Sequence, residues 1–263
     1  MARRGLKIDA LPTIETLSPP GRGQGEGDAS RGAFGKRNPL TQPSPRGGEG
    51  DRYGLTSGFQ KAPSLYSGPL YAGLTVGILG GSFNPAHAGH RHISLFALKA
   101  LGLDRVWWMV SPQNPLKSTS GMASLPERLA EARAVAAHLR IEVTAIETAL
   151  GTRYTADTLV KLQRRFPKTR FVWLMGADNL RQIPRWKHWN RIFDSVAVAV
   201  FARPTYSLGA LSGKAAQRYT RRRVSVSGVK GLARRRRPAW AFLRNPLHPA
   251  SATAIRQARA AGS

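Results

Sequence analysis

Residues 80–90 read GGSFNPAHAGH, and they join two segments of opposite periodicity. Before them, residues 75–79 (TVGIL) form a continuous apolar run; after them, residues 89–101 repeat their apolar positions at helical spacing. A strand, a glycine-rich turn and the start of a helix in that order form a phosphate-binding position. Gly80 and Gly81 permit a tight turn and close backbone approach to a ligand, and Pro85 stiffens the loop. The string is not GxGxxG. His87 and His90, two of only six histidines in the chain, fall near the amino end of the helix, where the dipole and unpaired N–H groups favour an anion. Imidazoles presented there can donate hydrogen bonds to a phosphate whose charge shifts during a reaction.

The same alternation continues outward. Strands are expected at 75–79, 105–110, 141–146, 170–175 and 196–201, with a weaker one at 240–243. Helices are expected at 89–101, 125–139, 155–165 and 211–222, and a last one opens near Ser251. Continuous hydrophobic strands alternating with helices define an α/β fold with a parallel sheet and helices on both faces. Ligands in such a sheet bind beyond the carboxyl ends of the strands, which directs attention to the loops at 80–90, 111–118, 147–155, 176–186 and 202–206.

With 263 residues and 41% hydrophobic content, a sizeable core is within reach. The absence of cysteine excludes a disulfide scaffold, cysteine-ligated zinc, iron–sulfur clusters and thiol catalysis, and it suits a reducing, cytoplasmic setting. The longest apolar run, VAVAVFA at 196–202, is far short of the roughly 20 residues that span a bilayer, so no membrane association is expected. The opening MARRGLKIDALPTIE lacks the apolar core of a secretory signal, and Asp9, Glu15, Glu26 and Asp28 argue against a transit peptide.

Residues 1–70 are built from Gly, Pro, Ser and Arg and contain a near-duplicate, SPPGRGQGEGD from Ser18 and SPRGGEGD from Ser44. Such a segment cannot bury enough apolar surface to offset its ordering entropy. It is expected to be a disordered extension, or to follow from a start codon assigned too far upstream; residues 71–263 form the folded domain. The formal net charge of +27 favours polyanionic ligands. RYTRRR at 218–223 and ARRRRP at 233–238 keep a basic nucleic-acid-binding protein open as the lesser alternative, without an RNA-binding aromatic signature or helix-turn-helix beside them.

A second phosphate-binding candidate lies far along the chain, in SATAIR at 251–256. Ser251 can cap a helix and expose its first N–H groups, Thr253 adds a hydroxyl, and Arg256, one turn in, offers a planar fork to a phosphate. Together with the GxFxPxHxGH string, this resembles the HxGH nucleotidyltransferases related to class I aminoacyl-tRNA synthetases. RYTADTL at 153–159, MGADNL at 175–180, and Trp186 with Trp189 narrow the resemblance to the nicotinate-nucleotide adenylyltransferases, over residues 74–256.

That resemblance implies a Rossmann-like sheet and transfer of AMP from ATP to nicotinate mononucleotide, yielding deamido-NAD and pyrophosphate. His87, His90, Lys117 and Arg256 are then the catalytic residues. Gly80, Gly81, Ser82, Phe83, Gly176, Asp178, Ser251, Thr253, Ile255 and Arg256 bind ATP. Tyr154, Thr155, Trp186 and Arg203 bind the nicotinate nucleotide, since a flat aromatic acid needs a ring to stack on and donors for its carboxylate. Asp178 suits ribose hydroxyls or a helix N-cap, and Trp189 is read as core packing. Mg²⁺ arrives with ATP, no protein metal site is expected, and a homo-oligomer is compatible with the reading. Alternative acceptors are nicotinamide mononucleotide and phosphopantetheine. The chain departs from the family pattern at Asn84, where many relatives carry aspartate, and at Ala252, where the family has a second serine.

Overall fold

The computed structural model describes residues 68–112, 122–203 and 207–261; the expected extension at 1–70 therefore lies almost wholly outside the described residues. The first half runs β1 (Thr75–Gly81), α1 (Ala88–Ala100), β2 (Arg105–Val110), α2 (Leu125–Ala136), β3 (Ile141–Thr144), α3 (Ile146–Ala149) and α4 (Thr155–Arg165). The second runs β4 (Arg170–Gly176), α5 (Ala177–Gln182), α6 (Trp189–Ser195), β5 (Ala197–Phe201), α7 (Ser207–Leu211), α8 (Lys214–Arg218), β6 (Trp240–Leu243) and α9 (Ala252–Ala261). Single-turn and longer 3-10 segments lie at Ile183–Arg185, Thr220–Arg222 and Val226–Arg234.

The six strands pair in the order β3-β2-β1-β4-β5-β6, every pair parallel. This is a doubly wound Rossmann-like sheet, and its order reverses between β1 and β4, where a crevice opens beyond the strand ends. Gly80 and Gly81, expected to form a tight turn, instead complete β1, paired with Met109 and Val110 of β2 and extending two residues past the last β1–β4 pair, Leu79↔Leu174.

The apolar runs alternate between two cores. Val76, Ile78, Trp107, Met109, Trp173 and Val198 face one, which is completed by Leu159 and Leu162 of α4 and by Leu180 of α5. Leu79, Val106, Trp108, Val172, Leu174 and Phe201 face the other, against Ile93 and Leu98 of α1, Ala132 of α2, and Val229 and Leu232. Strands buried on both faces must be apolar at every position, which is why they read as unbroken runs. Tyr71 joins the first core and donates its hydroxyl to Glu142 Oε2 at 2.6 Å.

Three expected elements end differently. The helix expected over 125–139 stops at Ala136, because Ala137 turns left-handed (φ 34°) as its cap. The strand expected over 141–146 ends at Thr144, and Ile146 opens α3 instead. The helix expected over 211–222 is three pieces: α7 ends at Leu211, Gly213 takes an extended conformation (ψ 159°) before α8, and a 3-10 turn follows. Glycine is the weakest ordinary helix former and gives the chain its break there.

Candidate active site

The amino end of α1 is built by its histidines. His87 is the N-cap: its Nδ1 accepts from the Gly89 N–H at 3.1 Å, while the His87 N–H donates to His90 Nδ1 at 3.2 Å. With both Nδ1 atoms accepting backbone protons, the single proton of each neutral ring sits on Nε2. Each ring thus presents one N–H donor. The rings lie 3.9 Å apart between centroids, and Phe83, buried and stacked on Trp108 at 5.1 Å, backs His90 at 4.7 Å.

Burial, then the charge of Arg203 and of His248, lowers the His87 pKa from 6.5 to about 4. Burial, then His87 and Arg203, lowers His90 to about 3. Both rings are neutral at physiological pH. Because the folded protein binds fewer protons here than the unfolded chain, these two groups contribute stability above pH 6.5, and it is lost as pH falls toward their folded values. In ligand-free protein, ring ¹⁵N–¹H correlations should therefore show Nε2–H tautomers for both residues, with no titration between about pH 8 and 5.5. Midpoints near 6.5 for these two rings would contradict the burial argument.

The chain beyond β6 returns to the same place. His92 Nε2 lies 2.8 Å from the Pro246 carbonyl, and the His92 and His248 rings are 5.5 Å apart. Ser251 Oγ accepts from the Ala254 N–H at 3.1 Å and so caps α9, as its sequence position suggests. Arg256 Nη1 then donates to the Asn84 carbonyl at 2.6 Å, and Nη2 to Thr253 Oγ1 at 3.3 Å. The front loop and the C-terminal helix meet, although 172 residues separate Arg256 from Asn84. Ile255 is half-buried on α9.

Beside this junction a cavity of about 460 Å³ opens at the switch point. Gly80, Gly81 and Ser82 form one wall, Asp178 another, and Tyr154, Thr155 and Trp186 a third. A Cβ on Gly80 would fall 2.2 Å from Cη2 of Trp173, so the indole fills the space a side chain would need. The Trp173 ring packs edge-on against Trp186, 6.4 Å away. Gly176 is equally constrained: a Cβ there would meet Asp178 Oδ1 at 2.3 Å.

Two expectations need correction. Asp178 does not cap α5; Gly176 occupies that position, and the Asp178 carboxylate pairs with Arg203 at 3.7 Å. Arg203 was expected with Tyr154, Thr155 and Trp186, but it lies outside their cavity, against Gly89, His92 and His248 and near enough to depress both site histidines. A strand-end position placed it at the cleft without saying on which side. Lys117 lies outside the described residues. Trp189 packs against Phe193 and Tyr219 next to the first core, as read from the sequence.

The cavity also gathers residues that sequence reasoning passed over. Lys187 Nζ sits 4.5 Å above the Tyr154 ring, and Arg153 and Arg185 add two more cations to the lining. Glu147 is buried, accepts from Thr158 Oγ1 at 3.2 Å, and has its pKa raised chiefly by burial. Arg153 is the first residue of the quoted RYTADTL and Lys187 lies between the two tryptophans, which was the available signal; Glu147 offered none. The arginine runs sit elsewhere. Arg223 bridges Trp240 at the amino end of β6, Arg234, Arg235 and Arg236 lead into that strand, and all four are exposed, away from the cleft.

A doubly wound sheet whose switch point carries paired imidazoles and a second capped helix defines a nucleotidyltransferase, and residues 78–258 match the cytidylyltransferase-like family model. Over 188 residues the chain is 53% identical to a probable nicotinate-nucleotide adenylyltransferase of Parvibaculum lavamentivorans, covering 72% of this chain and 94% of that protein. It is 56% identical to one from Cereibacter sphaeroides over 183 residues, 70% of this chain and 97% of the relative. The chain belongs to the nicotinate-nucleotide adenylyltransferases. Its fold is similar to that of the Plasmodium falciparum nicotinic acid mononucleotide adenylyltransferase complexed with NaAD (TM-score 0.53, 15% identity, 70% of this chain and 83% of that one).

Proposed function

We propose that the protein transfers AMP from Mg-ATP to nicotinate mononucleotide, releasing pyrophosphate and forming deamido-NAD. The observation that carries this reading is the Arg256 contact with the Asn84 carbonyl, which brings the start of α9 against the front loop. His87, His90, Thr253 and Arg256 are not among the residues lining the 460 Å³ cavity, so the triphosphate is assigned to the junction and the acceptor to the cavity. The acceptor phosphate, already ionised, attacks the α-phosphorus in line; the bond to the bridging oxygen breaks and pyrophosphate leaves with the electron pair. No covalent enzyme intermediate is required.

Catalysis is then positioning and charge stabilisation. The Nε2–H groups of His87 and His90 donate to the α-phosphate as its charge redistributes. Arg256, Thr253 and the Ser251-capped start of α9 hold the departing pyrophosphate, with Ile255 seating that turn; Lys117 and Arg203 add positive charge toward the phosphates. The backbone of Gly80, Gly81 and Ser82 lies along the nucleotide, Phe83 supports His90, and Gly176 leaves room for Asp178 to reach the ribose. Magnesium, held by triphosphate oxygens and water, is part of the ATP substrate and neutralises its charge. Tyr154, Thr155 and Trp186 take the pyridine ring, in a lining whose Arg153, Arg185 and Lys187 suit an acceptor bearing both a phosphate and a carboxylate. The reaction is assigned to the cytoplasm, in keeping with a cysteine-free, ATP-dependent chain.

The test is pyrophosphate release with ATP, Mg²⁺ and each of nicotinate mononucleotide, nicotinamide mononucleotide and phosphopantetheine. The acid nucleotide should be preferred over the amide by at least about tenfold in kcat/KM, because the amide lacks the charge that the basic lining meets. Equal or better use of the amide would displace the assignment.

A further inference from the structure

Arg128, on the second turn of α2, is 1% exposed and is surrounded by backbone carbonyls rather than carboxylates. Its Nε donates to the Ala123 carbonyl at 2.9 Å, Nη1 to the carbonyls of Ser82 at 2.7 Å and Ser111 at 2.8 Å, and Nη2 to that of Pro112 at 2.9 Å. Placing a guanidinium away from water is costly unless its donors are satisfied, and burial accordingly lowers its pKa. A flat fork with five donors is the side chain able to reach this many acceptors in fixed directions.

The identity of the acceptors gives the arrangement its meaning. Ser82 belongs to the loop after β1, Ser111 and Pro112 to the loop after β2, and Ala123 to the segment that enters α2. Ser82 and Ser111 both line the 460 Å³ cavity. Between them the Ser111 N–H donates to the Gly81 carbonyl at 2.9 Å, so the two strand ends are tied by a backbone bond and, from behind, by one guanidinium.

We infer that Arg128 is a positioning residue for AMP transfer: it touches neither substrate, but holds the loop that carries ATP at a fixed separation from the neighbouring cavity wall. Rate depends steeply on such registry, since a displacement of about 1 Å can cost roughly 10²-fold. The inference rests on the proposed transferase activity, and wild-type protein in the same assay keeps the two apart. If wild type makes no deamido-NAD, the activity is wrong; if wild type is active, the variants judge Arg128 alone.

The experiment compares R128Q and R128K with wild type for kcat, KM for ATP, KM for nicotinate mononucleotide, and thermal unfolding, with kinetics taken well below each melting point. R128Q should lose about 10²-fold in kcat/KM, with both KM values raised as well as kcat lowered, because the cavity walls are no longer in register. R128K keeps the charge without the fork and should fall between, about tenfold below wild type. A purely structural residue would lower the melting temperature and leave kcat and both KM values within twofold of wild type; that outcome in R128Q overturns the inference. Should R128Q not be recovered folded, R128K carries the test, and wild-type constants in it overturn the inference equally.

Discussion

Replacing His90 by alanine should lower turnover by roughly two to three orders of magnitude, the range found when one preorganised donor to a developing oxyanion is removed. The expectation follows from where the ring proton sits. His90 Nδ1 is occupied by the His87 N–H, so Nε2 carries the proton, and burial keeps the ring neutral. In the proposed mechanism this preset donor needs no change of protonation or tautomer as charge builds on the α-phosphate. Loss of the Nδ1 acceptor also weakens the helix cap, by about 1 kcal/mol. A small fall in melting temperature should therefore accompany a much larger fall in kcat. Steady-state kinetics with both substrates saturating would check this, and wild-type turnover in His90→Ala would remove the histidine from the mechanism.

Arg256→Ala should cut kcat/KM for ATP by about 10²-fold, while KM for nicotinate mononucleotide changes little. Arg256 donates to Asn84 and Thr253 through its two terminal nitrogens, which orients the guanidinium plane at the mouth of the front loop. A planar, doubly donating cation recognises phosphate through direction as well as charge. Arg256→Lys should accordingly recover only part of the loss, because an ammonium restores the charge but cannot bond Asn84 and a phosphate in the same geometry. Unchanged ATP kinetics in the alanine variant would separate the C-terminal helix from ATP binding.

Much of this architecture can be read in the sequence, for a physical reason. Strands covered on both faces are selected for apolarity at every residue, so even WAFL, only four residues long and a weaker signal than the other strands, is legible as β6. The long helices carry enough turns to express their period. Elements of six or seven residues, such as α5 and α6, do not, and so 176–186 reads as loop and no helix is expected over 189–195. The break at Gly213 was visible as a glycine but not as a reason to divide a helix. In the site, His87 and His90 announce themselves as two of six histidines set three residues apart, whereas Ser251 and Tyr154 are legible only through the resemblance of SATAIR and RYTADTL to the family pattern. Lys187, Arg185 and Glu147 belong to residue types that usually face water, and only folding brings them to the cavity. Arg128 was hidden for the same reason.

The indole of Trp173 has a wider consequence. It occupies the volume beside Gly80, where ATP is proposed to lie, and also packs edge-on against Trp186, where the acceptor is proposed to lie. One ring therefore touches both of the proposed halves of the site. A single methyl group added to the glycine would be transmitted to the opposite wall, so sequence tolerance in the two halves is set jointly, and neither can be redesigned for a new substrate while the other stands still.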